Sequence, residues 1–360
     1  MRNPFSKTNR KHFGRQMYAI ILSMIVALIT IALISKQPVL AFALFIFGAF
    51  TSLTNIGGML SIATILIVTG LCSFVGFKAG AFNMGAEGQM FLGALFSALI
   101  AIALADVLPP AIVMAAAMLG GIAVGAVWVL IPAMLKVTLG INEIVTTLMS
   151  TNIATLLTSY LVNTFFRNPA SGAPETVRLP RSVRFPQFMP PSKLNFGIII
   201  AVAVLLLIYL YYYRTKSGLR IRMVGMNPMF AQTVGIHDKK ILFGSMLTSG
   251  AFAGLAGALV TLGIEFRFIQ DFSPGYGMLG ITIALIGGLH PVGVLIAAIF
   301  YGSLMYGGTL MQMNTDVPFA LVFLLQGIII MLITSHNLKM PSLKMPPFIK
   351  KSKRAGEIQC

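Results

Sequence analysis

The residues best placed to do chemistry lie in one short run. Between Gly80 and Gly93 the chain reads Gly-Ala-Phe-Asn-Met-Gly-Ala-Glu-Gly-Gln-Met-Phe-Leu-Gly, setting Asn83, Glu87 and Gln89 among closely spaced glycines. The surroundings are apolar. A carboxylate in hydrocarbon costs at least ~2.5 to 3.5 kcal/mol, so such a group faces a packed interior or a water-lined path. The glycines permit backbone that is not regular helix, with exposed amides satisfied by water or solute. Two roles follow for these side chains. They line a polar path, or they bond to backbone at a helix break and hold the fold.

A second polar group opens a later apolar stretch, Asn142-Glu143, followed by Thr146, Thr147 and Asn152. Asn suits a helix cap and Glu the positive helix end. Asn142, Thr146 and Thr147 can share a helical face, where they line a path or join neighbouring helices. Gln326 in the last apolar stretch has the same ambiguity.

Other chemistries are poorly served. No Gly-Lys dipeptide occurs, so there is no phosphate-cradling loop and the chain does not itself hydrolyse ATP. His12, His237, His290 and His336 are not spaced with Cys, Asp or Glu as metal ligands, and no G-x-S-x-G elbow is present. Cys72 and Cys360 offer neither a disulfide framework nor a zinc site. An ion-coupled carrier using Glu87 is the alternative to a passive pathway. Coupled carriers place several ionisable or unwound-backbone ligands near the midplane, and here the acids in or beside spans reduce to Glu87 and Glu143.

The elements that must position these residues follow from composition. The chain is 57% hydrophobic and 10% charged, far below the roughly 25% charge of soluble domains. Its mean hydropathy is +0.89. The expected fold is an all-α polytopic membrane protein. About ten transmembrane helices are expected near 17–35, 59–77, 89–106, 110–132, 142–163, 194–213, 241–263, 276–290, 291–311 and 317–334, the eighth of them short, with a broken or re-entrant helix near 80–89. No cleavable signal is evident, so the first stretch is expected to stay as a span. Residues 39–54 are read as a re-entrant or interfacial piece, because an eleventh crossing would separate the two basic termini.

Charge sets orientation. Arg2, Lys7, Arg10, Lys11 and Arg15 begin the chain, while Lys339, Lys344, Lys350, Lys351, Lys353 and Arg354 end it. Both termini are therefore expected in the cytoplasm, together with the basic loop 214–240. The excess of Lys and Arg reads as topology rather than as a nucleic-acid surface. Loop 164–193 falls outside although it carries Arg178, Arg181 and Arg184. That charge is a solvated surface, or a dock for an acidic face of an extracellular partner. The small-residue spacings Gly121-x-x-x-Gly125 and Gly250-x-x-x-Gly254-x-x-Gly257 suit close helix packing.

In loop 214–240, Asn227 can cap a short helix, Pro228 suits its first turn and Gly235 can end it, with Phe230, Ala231 and Val234 on one face. Such a helix lies on the membrane or inserts into a partner's groove.

Three motifs resemble one family. Phe82-Asn-Met-Gly-Ala-Glu-Gly-Gln89 is similar to F-N-[IM]-G-A-E-G-Q, and Gly140-Ile-Asn-Glu-Ile-Val-Thr-Thr-Leu-Met-Ser-Thr-Asn-Ile153 to G-x-[NH]-E-[IV]-[IV]-T-T-[LI]-M-x-N-[YI]. Gly218-Leu-Arg-Ile-Arg-Met-Val-Gly-Met-Asn-Pro228, with Ala231 and Gly235-Ile236, looks like G-[LF]-x-x-R-x-x-G-x-N-P-x-A-A-x-x-x-G-I. Gln232 and Met223 stand where that pattern has alanine. These are motifs of the membrane permease subunits of ABC importers for nucleosides and simple sugars, of the branched-chain amino acid/ribose-type permease superfamily, and the resemblance covers about residues 59 to 334.

The resemblance implies a non-catalytic transport subunit in the cell membrane. Residues 1–16 and 335–360 would be basic cytoplasmic tails around a permease domain at 17–334. It implies a translocation pathway beside Asn83, Glu87, Gln89, Asn142, Thr146, Thr147 and Asn152. It also implies a coupling segment carrying Gly218, Arg222, Gly225, Asn227, Pro228, Ala231 and Gly235, seated in a cleft of the ATPase. The implied partners are a second related permease in a heterodimer, an ABC ATPase with two nucleotide-binding domains that uses ATP and Mg, and an extracellular solute-binding lipoprotein, with membrane lipid around them. No cofactor, metal or nucleic acid is implied for this chain.

Overall fold

The computed structural model describes residue 22 and residues 24–335. The basic tails lie outside the described residues, as does most of 17–23 and the Gln326 side chain. Everything described is helix, turn or loop.

Among the described residues, seven helices or helix pairs are long and apolar enough to cross a membrane. They are α3 (Leu53–Ala79), α4 (Ala86–Leu104), α5–α6 (Pro110–Trp128 and Leu130–Leu139), α7 (Glu143–Leu161, extended by a wide turn to Phe166), α8 (Gly197–Arg214), α11 (Asp238–Val260, extended to Glu265) and α13 (Pro291–Asn314). Shorter apolar helices are α1 (Met24–Ile34), α2 (Pro38–Phe47) and α12 (Tyr276–Ile286). Two short polar-rimmed helices, α9 (Lys216–Met226) and α10 (Pro228–Thr233), connect α8 to α11, and α14 (Phe319–Ser335) ends the described chain. The structure thus supports a multi-pass protein and gives seven long spans among the described residues, where ten were expected. Residues 38–50 form a short helix with one tighter terminal turn, packed on α13.

Local signals explain the boundaries. Ser52 accepts the Asn55 amide at the start of α3, and Gly80 ends it in the left-handed region (φ 80°), where a side chain would be strained. Pro132 lacks an N–H and crowds the carbonyl four residues earlier, so the long fifth helix breaks at Val129 into α5 and α6.

Burial orders the helices. α3, α4 and α11 are enclosed over most of their length, whereas α5–α6, α7 and α8 show most of theirs to the outside. The main core is formed by α3, α4, α8, α11, α12 and α13. At the α4–α5–α11 junction glycine is required by close approach. A Cβ on Gly254 would meet the Gly121 carbonyl, and one on Gly93 would lie 2.5 Å from the Gly254 Cα. Small residues let backbones meet where hydrocarbon supplies no hydrophobic drive between helices.

Candidate functional site

The spans α3 and α4 are separated by a break at residues 80–85, shorter than the expected 80–89, because Glu87 and Gln89 already stand in the first turn of α4. From Gly80 the chain passes through Ala81, Phe82 and Asn83 outside any helix, turns at Met84 and Gly85, and enters α4 at Ala86. Asn83 is the hub. Its Nδ2 donates to Gln89 Oε1 (2.8 Å) and to Ser249 Oγ of α11 (2.9 Å). Its Oδ1 accepts from Gln89 Nε2 (3.1 Å) and from the Gly85 amide (2.9 Å). Ser249 also meets Cys72 Sγ of α3 at 3.2 Å. Asn83, Gln89 and Ser249 are all buried. One amide pair therefore ties the break to α11 and, through Ser249, to α3, with both side-chain polar atoms of Asn83 partnered.

A second set of contacts ties the break to α6 and α7. Thr147 Oγ1 accepts the Met84 amide (3.1 Å) and donates to the Glu143 carbonyl (2.6 Å). Glu143 Oε1 accepts the Phe82 amide at 3.4 Å, while Oε2 pairs with Lys136 Nζ at 2.6 Å. Glu143 is buried, so its charge needs this partner. Gly140 (φ 69°) makes the turn that brings Lys136 and Glu143 together. Asn142 caps α7, accepting the Ile144 amide at 2.9 Å.

Glu87 differs from its neighbours. It is only half-buried, and its Oε2 accepts the Gly277 amide at 2.5 Å, at the first turn of α12. The carboxylate thus lies at two helix N-termini, its own and that of α12, where the backbone dipoles favour negative charge.

The expected shared face of Asn142, Thr146 and Thr147 divides. Asn142 is exposed, Thr146 half-buried and Thr147 fully enclosed, because the break packs over Thr147. Asn152, in the middle of α7, is exposed, and its side-chain amide has no hydrogen-bond partner among the described residues.

The expected shared face on α10 divides too. Asn227 Oδ1 accepts the Phe230 amide (3.0 Å), Pro228 opens the helix, and Gly235 turns the chain with φ 77°. Ala231 is fully buried, whereas Phe230 and Val234 are 54% and 50% exposed. Inward contacts seat the α9–α10 pair. Gly218 lies against the backbone of Tyr211 and Tyr212, and Gly225 against the Lys78 carbonyl at the end of α3. The Arg222 guanidinium sits 5.0 Å from the Tyr213 ring centre. The outward stripe is Met226, Met229, Phe230 and Val234. Its helical spacing was legible, yet sequence reasoning passed over both methionines.

On the opposite end, loop 167–196 clasps the segment after α11. Thr176 and Leu179 donate backbone amides to Phe268 and Phe266 carbonyls, and ion pairs join Arg267 to Glu175 (2.7 Å) and Lys193 to Glu265 (2.9 Å). Arg178 and Arg181 are exposed. Arg184 instead turns back, donating through Nε and Nη2 to the Leu179 carbonyl and lying 5.0 Å from the Phe266 ring centre. Partial burial, then the Arg178 and Arg181 charges, hold its pKa below the ordinary arginine value.

Ser249, Lys136 and Gly277 were missed in the sequence. Lys136, a lone cation at the end of an apolar run ahead of Glu143, was the most findable. Ser249 stands beside glycines that drew attention only for packing.

A family profile described as branched-chain amino acid transport system / permease component matches residues 55–334. The chain belongs to that permease family. The glucose ABC transporter permease protein TsgB13 of Haloferax volcanii is 32% identical over 91% of this permease and 88% of its own length. The guanosine ABC transporter permease protein NupP of Bacillus subtilis is 32% identical over 80% and 83%. A second guanosine permease protein of that bacterium, NupQ, is 28% identical over 70% and 82%. No solved structure gives a significant match. Family and helices together make this a multi-pass membrane permease.

Proposed function

We propose that this permease forms half of the translocation pathway of an ATP-driven importer for nucleosides or related simple sugars, with a separate ATPase as motor and an extracellular binding protein as donor. The observation carrying the proposal is the α9–α10 pair. It is seated by Gly218, Gly225 and Ala231, and presents Met226, Met229 and Phe230 outward from a chain that has no phosphate-binding loop. A rigid seat with an exposed apolar tip suits transmission of a partner's motion into α3, α8 and α11.

In this mechanism ATP binding on the partner favours one of two permease states, and the shift extends only as far as its affinities for them differ. The outer face of α7 supports a pathway or second-permease surface, because an unpartnered Asn152 amide is costly against lipid. Asn83 and Gln89 serve as the brace that holds the break, and Glu87 remains the polar group there with access. The presence of two guanosine permease proteins, NupP and NupQ, in one bacterium supports a heterodimer. Guanosine and glucose in the relatives' names support the substrate classes.

The test is uptake of radiolabelled guanosine, other nucleosides and glucose by cells expressing this chain with its chromosomal neighbours, with and without the P-loop lysine of the ATPase. Loss of uptake with the lysine supports the proposal and names the solute. Uptake that survives the lysine change but collapses with the ion gradient overturns it in favour of an ion-coupled carrier using Glu87.

A further inference from the structure

A groove of about 1140 Å³ opens between α8, α9 and the first half of α11. Its floor and inner wall are apolar, with Val204, Leu207, Ile208 and Phe252 among the residues that line it. Leu207 is 65% exposed, and Leu206 and Leu210 beside it are also exposed. The apolar wall therefore continues onto the outer surface of α8, a span with most of its side chains turned outward. Through Leu207 the groove lining reaches the surface that would meet hydrocarbon.

The mouth has the opposite character. Lys216, Arg220, His237 and Lys240 line it, and no Asp or Glu is among the described residues that line the groove. Lys216, Arg220 and Lys240 are exposed and form no ion pair among the described residues. The acids of the described chain are largely engaged elsewhere: Glu143 with Lys136, Glu175 with Arg267, Glu265 with Lys193, Glu87 with the Gly277 amide, Asp238 with Gln232. An occupant that satisfies both ends is apolar along one part, anionic at the other, and able to enter sideways from the bilayer.

We propose that this groove binds an anionic phospholipid of the cytoplasmic leaflet, its phosphate among Lys216, Arg220 and Lys240 and an acyl chain along α8 toward Phe252. The inference rests on the cytoplasmic placement of loop 214–240. Anionic lipids are enriched in that leaflet, and basic pockets between spans on that side suit their head groups. Because α9 forms one wall, the lipid fastens the seat of the α9–α10 pair to α8 and α11.

The experiment places the permease, purified with its co-expressed partners, in phosphatidylcholine nanodiscs and measures association of spin-labelled phosphatidylglycerol against spin-labelled phosphatidylcholine. Phosphatidylglycerol should be preferred, and the preference should fall roughly fivefold for each charge removed in Lys216→Gln, Arg220→Gln and Lys240→Gln. Gly244 lines the groove with open space where a Cβ would sit. Gly244→Phe should therefore displace both lipids. Equal association of the two lipids, or a preference that survives all three neutralisations, overturns the proposal. Inorganic phosphate that binds the mouth while phosphatidylglycerol shows no preference over phosphatidylcholine would make it a free-phosphate site and also overturn it. So would loss of ATPase co-purification in the neutralised variants with lipid preference intact, which assigns the mouth to a protein partner. Sidedness is read separately, from impermeant maleimide labelling of Ser217→Cys in intact cells and inverted vesicles. Labelling only from outside refutes the cytoplasmic placement and overturns the leaflet assignment, while the lipid preference is still measured.

Discussion

Asn83→Ala separates a brace from a pathway lining. Four hydrogen bonds pass through the Asn83 amide, to Gln89, to Ser249, from Gln89 and from the Gly85 amide. At about 0.6 kcal/mol for each side-chain hydrogen bond inside a membrane protein, these contribute roughly 2 kcal/mol. The substitution also leaves the fully enclosed Gln89 amide without its partner, which adds about 1 to 3 kcal/mol. The expected loss is therefore about 3 to 5 kcal/mol, a large fraction of the stability of a typical fold. Gln89→Ala removes the same pair from the other side. The double variant should consequently cost less than the two single variants added together, with a coupling of about 1 kcal/mol or more. The assay is thermal unfolding of the purified chain in nanodiscs, with substrate KM for correctly folded transporter measured in parallel. Unchanged unfolding in both single variants together with a raised KM would refute the bracing argument and return Asn83 and Gln89 to the solute path.

Charge on the exposed stripe of α10 should act differently from charge at its seat: Phe230→Glu should leave the chain folded and abolish transport, whereas Ala231→Glu buries a carboxylate and should lower the yield of folded protein. Equal yields, or normal transport by Phe230→Glu, would remove α10 as the coupling element. Arg178→Gln with Arg181→Gln should weaken binding-protein docking, most at low salt where exposed charges are least screened, while Arg184→Gln should instead loosen loop 167–196 in hydrogen exchange. Docking unchanged at all salt concentrations would leave the two exposed arginines as ordinary surface. Asp316 accepts the Ser35 hydroxyl (2.6 Å) and the Lys36 amide (2.8 Å), and chiefly the Ser35 bond, then the Lys36 amide, holds its carboxyl below the ordinary aspartate value. A lowered folded pKa stabilises above the unfolded value of about 3.9 and is lost as pH falls through the folded value. Protection of the Lys36 amide, taken as its exchange relative to the intrinsic rate at each pH, should accordingly be high at neutral pH and be lost in acid, and Asp316→Asn should flatten that loss. An acid response identical in the variant would assign it to other groups.

The sequence by itself determined the class of the molecule and its local punctuation. Apolar runs long enough for a bilayer, basic segments between them, and the signals Asn142, Asn227, Pro228 and Gly235 are properties of adjacent residues, so they are legible without the fold. The three family motifs likewise lie in single stretches, and they located the break, which the fold confines to 80–85, and the loop at 214–240. The tertiary structure decided what those residues touch. Asn83 meets Ser249 from a distant helix, Glu87 reaches the start of α12, and Arg184 turns back on its own loop. None of these pairings leaves a periodic trace in the chain, because the first two depend on which helices become neighbours and the third on how the loop folds over the Phe266 ring. Ala231 and Phe230 make the same point at the smallest scale: both suit an amphipathic helix, and only the packing of α10 on the rest of the protein chose which one would be buried.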